Sequence, residues 1–402
     1  MNTTLRVRLS AMMFLNYFIW GAWYVTIGTY MDKALSFSGV QIGSVYATNA
    51  IAALISPFFV GMIADRFFPS QRVLTVLHLL GALFMFGATQ THDFLPFYLC
   101  ILGYNLVFMP SIALTNSLSF YQMSDPQQQF PAVRMFGTIG WIVVGLAIIG
   151  PLKWDPTVYP LQLAAAVSVL MALYSLTLPH TPPRAKGEPA SVRAILGLDA
   201  LDLLRNKRFA AVIVASILIC IPLAFYYSFT NPFLNEISFA NASGRMTFGQ
   251  ISEALFLLIM PLAFARLGVR WMLVLGMGAW VLRYVLFGFG EVGGSEWMLW
   301  AGIILHGICY DFFFVTGQLF VDSEAPDRLK SSAQGLITLA TYGIGMFIGS
   351  NVSGIVVDAY KTADGGHDWL SVWLIPAAFA AAVLIGFFVL FREKEKTQAL
   401  KA

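Results

Sequence analysis

The chain has 402 residues, of which 58% are hydrophobic and only 11% charged, with a formal net charge of +3. An ordinary soluble domain carries about 25% charged residues, so this composition cannot cover a water-exposed surface. A soluble enzyme, a nucleic-acid binder and a disordered scaffold are excluded; mean hydropathy is +0.73, with 34 Gly and 34 Phe, as in a polytopic membrane protein.

A bilayer crossing takes about 20 mainly apolar residues. In chain order such stretches are predicted at 9–31, 42–64, 73–89, 94–118, 133–152 and 161–178, and then at 209–229, 248–267, 271–289, 297–321, 333–357 and 369–390. Arg6 and Arg8 precede the first in the manner of a secretory signal, but the stretch is long, rich in Trp and Tyr, and without a small-residue cleavage site, so it reads as an uncleaved span. With the N-terminus in the cytoplasm, nineteen of the 24 Lys and Arg fall on the cytoplasmic side. The outer loops then keep only Lys33, Lys153, Arg245 and Lys361, and Arg283 lies within a span. This positive-inside asymmetry places both termini in the cytoplasm.

The polar segment 179–208, with Arg184, Lys186, Arg193, Arg205, Lys207 and Arg208, divides the spans six and six. The expected organisation is a half at 1–178, a cytoplasmic linker at 179–208, and a second half with a cytoplasmic tail at 209–402. A weak repeat at an offset of about 200 residues supports it. Gly61-Met-Ile-Ala-Asp65-Arg66 after the second span matches Arg266-Leu-Gly268-Val-Arg270 after the eighth, and Asp125-Pro126 matches Ala325-Pro326-Asp327. Two parallel six-helix halves are the architecture of major facilitator transporters, with the substrate site between them. The Asp65-Arg66 loop also resembles that superfamily's loop signature, with Phe68 and Pro69 where a second Gly is usual.

Cys100, Cys220 and Cys309 fall in apolar runs without metal or redox spacing and read as small core residues. A charge at the bilayer centre costs at least about 2.5 to 3.5 kcal/mol, so ionisable residues inside spans are functional candidates. They are Arg134, Glu253, Arg283, His306 and Asp311, whereas the lone His78 reads as packing. Arg134, Thr138 and Trp141 share a helix face, as do Gln250 and Glu253, and His306 and Tyr310; Asp311 is turned about 100° from Tyr310. Tyr227 with Asn231, and Asn16 with Trp20 and Trp23, are candidate additions to the lining. Such a cavity suits a neutral, hydrogen-bonding ring compound better than a phosphorylated one, which calls for convergent cations. Glu253 and Asp311 are the candidates for proton coupling; for Asp311 the alternative is a structural ion pair with Arg283.

The chain resembles the nucleoside:proton symporter family of the major facilitator superfamily, nearer to its uncharacterised transporter branch than to its characterised permease. The likeness runs nearly end to end. It rests on Trp20-Gly21-Ala22-Trp23, Asp65-Arg66, Arg134-Met-Phe-Gly-Thr138-Ile-Gly140, Leu196-Gly-Leu-Asp199-Ala200, Gln250-Ile-Ser-Glu253, Asp311-Phe-Phe and Ala333-Gln334-Gly335. The resemblance implies nucleoside binding at Arg134, Thr138, Trp141, Gln250, Glu253 and Tyr310, by alternating access in a bacterial inner membrane, by a monomer without a cofactor. The chain departs at Ala224 and Tyr227, where the characterised permease has a Gln and an Asn, and at His306, where it has a Tyr. Asp65, Arg66 and Arg283 are expected to be structural or gating residues. The rival cargo is a sugar or another small neutral metabolite. A membrane enzyme would need a nucleophile with its base or a metal cluster, and no HExxH or GxSxG is present. A substrate-sensing receptor leaves no distinctive mark, and only a flux assay separates it from a transporter.

Overall fold

The computed structural model describes residues 2–66, 68–183 and 198–391, and among them every element of any length is a helix. The first half comprises α1 (Thr3–Trp23), α2 (Ile27–Lys33), α3 (Gly39–Arg66), α4 (Ser70–Ala88), α5 (Phe94–Gln122), α6 (Pro126–Val143) and α7 (Tyr159–Ser175). The second comprises α8 (Lys207–Glu236), α9 (Ala242–Phe289), α10 (Glu296–Glu324), α11 (Ser332–Ala359) and α12 (Trp369–Leu390). Short 3₁₀ and π turns interrupt or flank several of these.

The expected first span is interrupted. Its helix stops at Trp23 and restarts at Ile27, and the Tyr24 carbonyl accepts the Tyr46 hydroxyl at 2.9 Å. A side chain thus replaces the missing helical donor, which is what allows a break at this depth. By contrast, α9 runs for 48 residues, roughly 72 Å at 1.5 Å per residue and too long for one crossing. Gly268 turns the chain there with φ 70°, a left-handed conformation that suits glycine, so α9 supplies the eighth and ninth spans. With α1 and α2 forming one span, the bundle has the expected twelve crossings in two six-helix halves, the major facilitator fold. Its outer surface carries Leu83, Leu258 and Leu390, at 65%, 76% and 70% exposure, as a lipid-facing surface requires.

The halves meet where α3 packs on α11 and α6 on α9. Glycine makes these approaches close: a Cβ at Gly43 would run into the Ser350 carbonyl, and one at Gly145 into Thr247 Oγ1. Hydrogen bonds joining the halves cluster on the face opposite the described termini. There Thr29 Oγ1 donates to Asn231 Oδ1 at 2.5 Å, and the amides of Gly39 and Val40 donate to the Asp358 carboxylate at 2.6 and 2.8 Å. Asp65 and Arg66, and residues 184–197 of the expected linker, lie outside the residues whose side chains are described.

Candidate substrate cavity

A narrow cavity lies in the seam between the halves. Trp141 from α6, Tyr227 from α8 and Gln250 from α9 line it together with Thr26, Tyr226 and Thr247. Trp20 stands edge-on to Trp141 at 5.4 Å, and Tyr24 bridges the seam to Tyr227 at 5.7 Å. The walls are therefore aromatic planes, with one amide and a few hydroxyls among them.

Arg134 and Thr138 lie on the same α6 face as Trp141, nearer the start of the helix, and Glu253 lies one turn beyond Gln250. Because α6 and α9 run in opposite senses, these residues lie outside the cavity lining, on its side toward the face that carries the described termini. The Arg134 guanidinium sits 3.9 Å from the Tyr17 ring centre, and its charge acts on Glu253 across the seam. Glu253 keeps 34% of its side chain exposed, and its Oε2 is 3.6 Å from Nε2 of the buried His306. His306 stacks on Tyr226 at 5.2 Å, with Arg283 over the other ring neighbourhood at 4.1 Å from the Tyr226 centre. Tyr310 and Tyr342 join hydroxyls at 2.5 Å, tying α10 to α11.

Several expectations need correction. Trp23 is buried inside the first half, where its indole N–H donates to the Tyr104 hydroxyl at 3.2 Å, so it does not line the cavity. Asn16 is likewise internal and accepts from Ser111, and Asn231 belongs to the contact with Thr29. Arg283 forms no ion pair with Asp311. Its Nε donates to the Gly302 carbonyl at 2.9 Å, bracing α9 against α10, while Asp311 is buried at the start of a π turn, Asp311–Val315. His78 packs edge-on to Phe108, Cys220 and Cys309 are buried, and Cys100 is half-buried. Sequence spacing missed Tyr17, Tyr24 and Tyr342. Each is one aromatic among many in an apolar span, and only the fold shows which ring reaches the seam.

The family described as nucleoside H+ symporter matches residues 1–396. The chain belongs to this family. A provisionally named nucleoside transporter of Escherichia coli (strain K12), YegT, is 41% identical over 98% of the chain and 95% of its own length. The xanthosine permease of the same organism is 34% identical over 99% and 98%. The crystal structure of the nucleoside transporter NupG superposes with a TM-score of 0.90 at 33% identity, covering 98% of this chain and 100% of that one. The membership of the chain in a transporter family accords with a cavity set between two halves. The lining likewise comes from α6 and the link between α1 and α2 on one side and from α8 and α9 on the other.

Proposed function

We propose that the chain is a proton-coupled nucleoside transporter of the bacterial inner membrane, working by alternating access. The observation that carries this reading is Glu253. It is a carboxylate in the seam, answering to Arg134 of one half and His306 of the other, one turn from the cavity. An ionised Glu253 attracts Arg134 and so favours one arrangement of the halves; protonation removes that attraction. Proton binding and substrate binding then bias the same equilibrium. The aromatic faces of Trp141 and Tyr227 suit a flat base, and Gln250 supplies both a donor and an acceptor. Thr138, Tyr310 and Arg134 are further groups for the sugar or base. In this reading Asp311 acts from beneath the site as a second proton carrier, and Arg283 positions α10.

The face carrying the termini is cytoplasmic, as the distribution of Lys and Arg supports, and the transporter is a monomer whose halves are 1–178 and 209–402 with the linker 179–208 between them. The closed face is then the periplasmic one, which makes the arrangement inward-facing. The test is uptake of labelled purine and pyrimidine nucleosides into proteoliposomes, with and without an inward proton gradient, competed by sugars. Gradient-dependent accumulation of a nucleoside is expected. Sugar accumulation with no nucleoside uptake would keep the fold and overturn the cargo.

A further inference from the structure

On the periplasmic face, two aspartates from different halves occupy matching places. Asp358, at the end of α11, accepts from the backbone N–H groups of Gly39 and Val40, the first two residues of α3 in the opposite half. Asp155, in the loop after α6, is buried near Ser243, the second residue of α9 in its own opposite half, although its Oδ1 and the Ser243 hydroxyl each lack a hydrogen-bond partner. It also faces the amides of Asn231 and Asn235 from α8. The spacing from Asp155 to Asp358 is 203 residues, and so is that from Val40 to Ser243 and from Gly39 to Ala242. The repeat that builds the two halves has thus placed an acid near a helix start twice, once in each direction across the seam, with the backbone hydrogen bonds made to Asp358.

The physics of each contact is the same. The first N–H groups of a helix have no partner within it, and the helix end carries partial positive charge, so a carboxylate or any oxygen acceptor is favoured there. Here the acceptor belongs to the other half, so the cap exists only while the periplasmic ends are together. Opening that face leaves the N–H groups of both helices, and both carboxylates, to water. The two contacts differ in setting. The Asp358 side chain is 26% exposed and also stands 4.0 Å from Lys361, whereas Asp155 is 3% exposed and its Oδ1 completes no hydrogen bond.

We propose that Asp155 and Asp358 are a repeat-related pair of positioning residues for transport, each set at the start of a helix of the opposite half, Asp358 capping it, and that together they hold the periplasmic face closed. Neither touches the substrate cavity. They act on the balance between the two transport states and so on the rate at which the empty and loaded carrier reorients. This goes beyond the assignment of cargo, and its test needs no substrate.

The experiment measures the distance between spin labels on the periplasmic ends of the two halves, at Gln90 and Val292, in cysteine-free protein reconstituted in lipid. Asp155→Ala and Asp358→Ala are each expected to raise the ratio of open to closed periplasmic face about three- to fivefold, and the pair together by about the product. Asp155→Asn and Asp358→Asn keep an acceptor oxygen at the cap and should fall between the native chain and the Ala variants; they also keep the test intact if an Ala variant fails to fold. Asp364→Ala, on an exposed periplasmic loop, is the control and should leave the ratio unchanged. An unchanged ratio in both Ala variants overturns the proposal, and a shift in only one of them overturns the pairing.

Discussion

At the scale of single residues, the site depends on charges that the bilayer would otherwise exclude. Glu253→Gln keeps the shape and removes the titration, so proteoliposomes carrying it should lose gradient-driven accumulation yet still exchange labelled for unlabelled nucleoside. Full proton-driven accumulation by that variant would remove Glu253 from the coupling. Arg134→Ala withdraws a cation held 3.9 Å from the Tyr17 ring and within reach of Glu253. Hydrogen bonds to charged groups are worth about 1.5 to 3 kcal/mol, so calorimetric titration in detergent should show affinity weakened at least about tenfold. His306 and Tyr227 are the residues at which selectivity is expected to lie. Where a site is built to hydrogen-bond a substrate, an analogue lacking that group is rejected strongly, and Tyr227 brings a ring and a hydroxyl to the cavity lining.

At the scale of helices, the periplasmic contacts make closure sensitive to pH. Burial pushes the Asp155 carboxyl up from its ordinary value, with the nearby donors Ser243, Asn231 and Asn235 acting in the opposite sense. Charged groups on the loops and helix ends of that face pair with one another, Asp32 with Lys33, Glu236 with His367, and Arg245 with Glu296, while Lys153 in the same loop is exposed. Raised in the closed state and ordinary in the open one, this group binds its proton more tightly when the face is shut. Falling periplasmic pH therefore favours closure, and rising pH through the raised value releases it. In a Glu253→Gln and Asp311→Asn background the label distance should keep a pH response, and adding Asp155→Asn should reduce it. Packing gives a second prediction at this scale. Because a Cβ at Gly43 meets the Ser350 carbonyl, Gly43→Val should prevent close approach of α3 and α11, shifting the same distance distribution toward the open periplasmic face.

At the scale of the whole molecule, a neutral substrate carried with a proton moves net charge. A potential of 100 mV acts with about 2.3 kcal/mol per charge, which sets a limit of about fiftyfold accumulation for one proton. A potassium diffusion potential, negative inside, should therefore drive nucleoside uptake in proteoliposomes at equal pH on both sides. Uptake indifferent to the potential would exclude net charge movement and with it simple proton symport.

Composition and span length alone required a membrane bundle, because 11% charged residues cannot solvate 402. Charge asymmetry and the repeat pointed to two halves, and helical spacing singled out Trp141 and Gln250, which line the cavity between them. Local pattern could not show that Trp23 turns inward to Tyr104 while Trp20 reaches the seam, since both are aromatic residues on one apolar helix. Nor could it show that Arg283 binds a carbonyl instead of Asp311. Asp155 reads in sequence as one loop acid beside a proline. Only the packing of one half against the other gives it a helix terminus to meet. Burial and period are properties of a segment and are written in it, whereas partnership across 200 residues or so is a property of the folded pair of halves, decided by which surfaces exclude water from each other.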